Sequence, residues 1–169
     1  MAEHAREPDV RLEMLSQPRL LASARAMVNS FSQRMGFDEI HAGQVSLAVD
    51  EALCNVINHG YQKKPDGRIW LSLWGVDGDR PEVKILIEDR ARQIDPSSIR
   101  SRDLDDIRPG GLGVYIIREI MDDVRYEPRE GGGMRLSMSK RMPAEGDAPA
   151  AATPDRAAIA AQSKREGTT

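Results

Sequence analysis

The chain of 169 residues has few aromatic residues, one cysteine, no long apolar run and no surplus of positive charge. Aromatic residues make up 4% of it, so aliphatic side chains have to fill its core. The single cysteine, Cys54, excludes an internal disulfide framework and a cysteine-rich zinc site. No apolar run approaches the roughly 18 residues that a membrane span needs. The net charge of −3 lacks the basic excess that is typical of dedicated nucleic-acid binders.

The N-terminus carries no apolar signal stretch either. These absences together favour a cytoplasmic protein that binds neither nucleic acid nor membranes directly. Composition then divides the chain into an arm at residues 1–9, a domain at 10–142 and a tail at 143–169. The tail is rich in alanine and proline, with Ile159 as its one large aliphatic residue, so we expect it to be mobile and outside the core.

Apolar periodicity predicts the elements of the domain. Residues 10–15 alternate as a strand does, and steps of three and four residues predict a helix from Pro18 to about Gly36. A second helix is predicted from the N-cap Asp38 to about Gly60. The later predictions are strands at 68–76 and 82–89, a polar loop at 90–108, a helix after the glycines that ends at Met121, and strands at 124–127 and 134–140. This order predicts an α+β fold with the helices on one face of a largely antiparallel sheet.

Two places put acidic or amide side chains where function is a candidate explanation. Glu51 and Asn55 lie one turn apart on the second helix, where their oxygens can orient a water or a hard cation. An ordinary solvated helix face is the competing interpretation. Asp89 extends the apolar row of Val83, Ile85 and Ile87 on a predicted strand. It either accepts a hydrogen bond from a ligand at a pocket rim or faces water at the end of the strand.

A third place is the glycine-rich run from Pro109 to Gly113. Glycines before a helix let the backbone approach a ligand closely, and the free N–H groups of a helix start favour anions such as phosphate. Arg108 lies immediately upstream. Glycine-rich turns are common, so the run is a weak signal by itself.

Together, the three places resemble the GHKL ATPase superfamily. The resemblance covers about residues 10–142, and its specificity comes from the order and spacing of the motifs. Within the superfamily, the chain is most similar to the small anti-sigma-factor serine/threonine kinases of bacteria. The residues that carry it are Glu51 to Tyr61, Ile87 to Asp89, Arg108 to Gly113, Gly110 to Tyr126 and Gly132 to Arg141.

The resemblance implies a two-layer α/β sandwich of the Bergerat type that binds ATP and Mg²⁺ between helices and sheet. It implies that Asn55 coordinates Mg²⁺ and that Glu51 acts as the general base or positions it. Asp89 would accept a hydrogen bond from the adenine amino group. The phosphates would be held by Gly110, Gly111, Leu112 and Gly113. Arg108 would lie near the γ-phosphate as a second catalytic residue beside Glu51.

The implied function is that of an anti-sigma factor and ATP-dependent protein kinase. Such a protein holds a sigma factor inactive and phosphorylates an anti-sigma-factor antagonist, and the family members are homodimers. One alternative is a nucleotide-binding anti-sigma module with weak or no kinase activity. Another is a stand-alone GHKL ATPase that regulates a different target.

Three residues depart from the family pattern. Ala91 and Gln93 stand where the family has the glycines of Asp-x-Gly-x-Gly, and Met134 stands where Thr or Asn is common. We therefore predict ATP binding that is weakened. We also predict that residues 95–111 form a mobile lid, and that Trp70 and Trp74 lie on the outer sheet face, where they favour a homodimer interface.

Overall fold

In the computed structural model, residues 6–99 and 112–144 are described, and they form a sheet with a helical layer on one face. The α+β class that the sequence predicts is confirmed. The elements, in chain order, are β1 (Val10–Leu15), α1 (Leu21–Arg34), α2 (Glu39–Asn55), β2 (Arg68–Val76), β3 (Glu82–Asp89), α3 (Leu112–Ile120), β4 (Asp123–Pro128) and β5 (Met134–Arg141).

The five strands lie in the order β1-β2-β3-β5-β4, and each of the four pairings is antiparallel. Along β2, Ile69, Leu71 and Leu73 are fully buried against the helices. Trp70 and Trp74 alternate with them and therefore point to the outer face, as predicted. Both indoles are only half-buried there.

The core lies between the helix-facing side of the sheet and the helices α1, α2 and α3. It is almost entirely aliphatic, as the scarcity of aromatic residues requires. In the described residues, Phe37 is the one aromatic side chain among the buried hydrophobic residues. Leu53 of α2 has no exposed surface, and its replacement by Ala would cost about 2–5 kcal/mol of stability. The core thereby fixes α2, which carries two of the predicted site residues, against the sheet.

The helix α2 begins and ends in different ways. Its start is capped as predicted, because the Asp38 carboxylate accepts a hydrogen bond of 2.8 Å from the His41 N–H. Its end differs from the prediction: the α-helix stops at Asn55 and the chain continues as one π-helical turn, Val56–Gly60. The Tyr61 N–H closes that wider turn on the Val56 carbonyl at 2.8 Å. Such turns are frequent at functional sites, and hydrophobic spacing does not distinguish them from an α-helix.

Several predicted segments fall outside the described residues: residues 1–5 of the arm, most of the predicted lid including Arg108, Gly110 and Gly111, and the tail from residue 145. The described part of the arm lies along β2. The Asp9 N–H donates to the Leu73 carbonyl at 2.9 Å, and the Trp74 indole N–H donates to the Arg6 carbonyl at 2.9 Å. Across the described residues, no helix has the length and apolarity to cross a bilayer.

Candidate functional site

The end of α2 meets the start of α3 at Glu51, Asn55 and Gly113. A Cβ atom on Gly113 would lie 2.9 Å from Glu51 Oε2, 3.4 Å from Asn55 Nδ2 and 3.6 Å from Asn55 Oδ1. A methyl group here would press on the movable end of the Glu51 side chain, so glycine leaves that carboxylate undisturbed beside α3. The carboxylate and the amide that the sequence places on one face of α2 therefore lie at the start of α3. The first N–H groups of a helix have no partner within it, so an anion is favoured beside them.

The amide of Asn55 has one atom without a partner among the described residues. Its Nδ2 atom is buried, and no described residue forms a hydrogen bond with it. A buried N–H donor without a partner is costly, and a hydrogen-bond acceptor on a ligand, such as a phosphate oxygen, would relieve that cost, whereas a cation would not. Mg²⁺ is usually held by one or two side-chain oxygens together with water and substrate phosphates. The other atom of this amide, Oδ1, is an oxygen beside the start of α3 and fits that chemistry.

Asp89 is the candidate site residue that the sheet carries. It ends β3 on the helix-facing row and is 4% exposed. Its Oδ1 atom accepts hydrogen bonds from the Ala91 N–H at 2.8 Å and the Met134 N–H at 3.2 Å. No described residue donates to Oδ2, which is therefore available to accept from an amino group. The sequence leaves two explanations for Asp89, contact with a ligand or contact with water at the end of a strand. Its burial argues against exposure to bulk water.

The charge of Asp89 is also perturbed. Burial raises the pKa of the Asp89 carboxyl above its usual range. The N–H groups of Ala91 and Met134 and the positive charge of Arg129 oppose that rise in pKa. A ligand that donates a hydrogen bond to Asp89 would likewise stabilise the charged carboxylate.

Gly133 holds Met134 against Asp89, a role that sequence reasoning missed. A Cβ atom on Gly133 would lie 2.0 Å from the Asp89 carbonyl oxygen, and the residue has φ of +90°. The β4–β5 turn can approach β3 this closely only with glycine. The signal in the sequence is the run Gly131-Gly132-Gly133 between two predicted strands, of which Gly132 and Gly133 belong to the resemblance.

Ala91 and Gln93, which replace the glycines of the family's Asp-x-Gly-x-Gly motif, both contact distant segments of the chain. Ala91 donates to Asp89, and its Cβ lies 3.0 Å from where a Cβ on Gly60 would be. Gly60 thus leaves room for the methyl group of Ala91. The side-chain amide of Gln93 donates to the Arg129 carbonyl at 2.8 Å and ties this loop to the β4–β5 turn. The contact between Gly60 and Ala91 also joins the two halves of the site, because Gly60 ends the turn that follows Asn55.

Tyr61 is a second residue that the sequence analysis did not single out for a role. Its hydroxyl donates to the Arg68 carbonyl at 2.6 Å and accepts from the Arg90 N–H at 2.9 Å. Burial raises the pKa of that hydroxyl. Because Arg90 follows Asp89 directly, Tyr61 fixes the chain where it leaves β3. Leu112, which the family resemblance assigns to the phosphates, is 43% exposed at the start of α3.

The fold is a helical layer on an antiparallel sheet. Its candidate site combines a Glu and an Asn at a helix start with a buried Asp at the end of a strand. Residues 14–140 match the profile of the histidine kinase-like ATPase domain family. The match spans most of the chain, which therefore belongs to that family.

The chain is similar to the serine-protein kinase RsbW of Oceanobacillus iheyensis. The two are 27% identical over 139 residues, which cover 78% of this chain and 85% of that protein. Identity to RsbW of Bacillus subtilis is 26% over 142 residues, covering 80% of this chain and 87% of that one. Among solved structures it is similar to the mycobacterial sensor histidine kinase MprB, with 16% identity and a TM-score of 0.44 over 80% of this chain and 100% of that one.

Proposed function

We propose that this protein is an anti-sigma factor and an ATP-dependent serine/threonine kinase, and that its substrate is an anti-sigma-factor antagonist. The observation that carries the nucleotide-binding part is the approach of Gly113 to Glu51 and Asn55, which places a carboxylate and an amide at a helix start. The similarity to proteins named as serine-protein kinases supports the protein hydroxyl as acceptor.

In the proposed complex, each described site residue has a separate task. Oδ2 of Asp89 accepts a hydrogen bond from the adenine amino group, while its Oδ1 stays bound to the backbone. The amide oxygen of Asn55 holds Mg²⁺, which when bound neutralises charge on the phosphates. The N–H groups at the start of α3 contact the phosphates. Gly110, Gly111, Leu112 and Arg108 complete this phosphate site as the resemblance implies.

Glu51 acts at the acceptor. Its carboxylate takes the proton from the hydroxyl of the substrate serine, or orients the group that does so, as the hydroxyl oxygen bonds to the γ-phosphorus and the bond from that phosphorus to ADP breaks. Because positioning and charge supply most of the catalysis in phosphoryl transfer, a fixed carboxylate is valuable. Burial of α2 in the core provides that fixed position.

The proposal includes a homodimer and the exchange of a sigma factor for the unphosphorylated antagonist. Both parts depend on the family resemblance. The two tryptophans lie on the outer face but are half-buried, and the Trp74 indole N–H already donates to Arg6. Light scattering at micromolar concentration tests the dimer, and a monomeric mass counts against it.

Transfer of labelled phosphate from ATP to a serine of a candidate antagonist tests the kinase. Glu51→Gln should abolish transfer and leave Mg-ATP binding in place, because the carboxylate acts on the acceptor. Glu39→Gln is the matched control, since Glu39 is exposed at the first turn of the same helix. Capture of a sigma factor without transfer would favour the binding module. ATP hydrolysis without either would favour the stand-alone ATPase.

A further inference from the structure

Two arginine side chains lie over the ring of Trp70, on the face of the sheet that points away from the helices. The guanidinium carbon of Arg90 lies 5.3 Å from the centroid of its ring, and that of Arg129 lies 5.4 Å from it. Both distances are within the roughly 6 Å at which a cation is attracted by an aromatic face. One indole on the outer face therefore contacts two separate segments of the chain.

Those two segments are the ones that set Asp89 in place. Arg90 lies between Asp89 and Ala91, and the Ala91 N–H is one of the two donors to Asp89. Arg129 begins the β4–β5 turn that ends at Met134, whose N–H is the other donor. The Arg129 carbonyl also accepts the side chain of Gln93.

An acidic residue next to Trp70 strengthens the arrangement. Glu88 pairs across strands with Trp70 and lies 3.5 Å from Arg129 and 3.6 Å from Arg135, both measured from its Oε1 atom. The carboxylate therefore draws Arg129 to the same place as the indole does. Trp74 differs, because it pairs across strands with Lys84, away from Asp89.

We propose that Trp70 is a positioning residue for the nucleotide site. From the opposite face of the sheet, it holds Arg90 and Arg129, and through them the two backbone donors that fix the Asp89 carboxylate. The inference rests on the proposed function in one respect, namely that Asp89 contacts the adenine of ATP. It adds that the outer face of the sheet controls how well the adenine is recognised.

The first test compares Trp70→Leu with Trp70→Phe and with the control Trp74→Leu, by calorimetry of Mg-ATP and Mg-GTP. Losing two cation–π contacts should weaken ATP binding by about threefold to tenfold and narrow the preference for ATP over GTP. Phe keeps an aromatic face and should restore most of both. Trp74→Leu should stay within about twofold of the parent protein, because its change leaves those contacts intact. Phosphotransfer should show a raised KM for ATP with kcat unchanged at saturation, a split that general destabilisation does not produce.

If Trp70→Leu does not fold, Arg129→Gln takes its place. Its control is Arg135→Gln, which removes an ion pair to the same Glu88 but neither of the two cation–π contacts that the described residues make with Trp70. Weaker ATP binding in Arg129→Gln than in Arg135→Gln supports the proposal, and equal affinities overturn it.

The second test uses fluorescence in Trp74→Phe, which leaves Trp70 as the one tryptophan of the chain. Mg-ATP should shift or quench its emission, although the nucleotide lies on the other side of the sheet, and Arg129→Gln should reduce that response. If calorimetry shows binding and the Trp70 emission does not change, the positioning role is wrong and the proposed function stands. If the parent protein binds no ATP at all, the proposed function itself fails.

Discussion

Replacing Gly133 with Ala tests how the β4–β5 turn supports Asp89. The added methyl group would start 2.0 Å from the Asp89 carbonyl oxygen, 2.6 Å from its carbonyl carbon and 2.7 Å from the Arg90 Cα. All three neighbours are backbone atoms, so no flexible side chain can move aside. The turn and the end of β3 have to separate.

Two costs add in this variant. A residue with a side chain at φ of +90° is strained by roughly 1–2 kcal/mol. Forcing an extra carbon into a packed contact costs about 1–3 kcal/mol more. The expected loss of stability is therefore about 2–5 kcal/mol, and separation of the strands should also lengthen the bond from the Met134 N–H to Asp89, which is already 3.2 Å.

The chain provides matched controls for the first cost. Gly131 and Gly132 have φ of +82° and +103°, and a Cβ on either would meet nothing within 4 Å. Gly131→Ala and Gly132→Ala should therefore show the backbone strain alone. The difference between Gly133→Ala and the controls isolates the contact with Asp89, at about 1–3 kcal/mol.

Urea unfolding gives the three stabilities, and calorimetry of Mg-ATP at a temperature where all variants are folded gives the affinities. On melting, each kcal/mol corresponds to a shift of about 2–4 °C for a chain of this size. Gly133→Ala should be the least stable of the three and the only one with clearly weaker ATP binding. Equal stability and equal affinity across the three variants would show that the close approach does not position Asp89.

Three further predictions concern the site itself. Asn55→Ala should abolish Mg²⁺-dependent ATP binding, and unchanged affinity in calorimetry with and without the metal would contradict the ligand assignment. Gly113→Ala should keep or raise stability by about 0.5–1 kcal/mol, because Ala favours a helix. Its methyl group should displace the Glu51 carboxylate, so phosphotransfer should fall. A variant with full activity would argue against that contact. Because the pKa of Asp89 is raised, ATP affinity should fall as the pH is lowered through that pKa. Asp89→Asn should lose this dependence and discriminate less between ATP and GTP. Without nucleotide, the stability of the protein depends on pH in the opposite direction. Because the pKa of Asp89 is raised in the folded state, its contribution to the free energy of unfolding is largest at low pH and falls as the pH rises.

The sequence predicted the elements of the described fold to within a few residues because each signal is local. Alternation marks β2 and β3, a capping aspartate marks the start of α2, and a spacing of four residues puts Glu51 and Asn55 on one helical face. The π-helical turn after Asn55 was not predictable in this way, because hydrophobic spacing does not distinguish such a turn from an α-helix.

Contacts between distant segments explain most of what the sequence did not indicate. Gly133 looks like any turn glycine until β5 is paired with β3, which brings its Cα against the Asp89 backbone. Tyr61 has a role only because β2 begins and β3 ends beside it. Neither pairing partner can be deduced from neighbouring residues.

The altered Asp-x-Gly-x-Gly motif, with Ala91 and Gln93, also depends on contacts between distant segments. Taken alone, Ala91 in place of glycine indicates a backbone that has lost close approach. In the fold, the residue opposite Ala91 provides the space. Gly60 has no side chain where the Ala91 methyl group lies, and a Cβ on Gly60 would be 3.0 Å from that of Ala91. Gln93 likewise uses its side chain to bind the Arg129 carbonyl, which a glycine cannot do. A departure from a motif therefore has to be judged together with the residue across the contact, and here both partners lie more than 30 positions away in the chain.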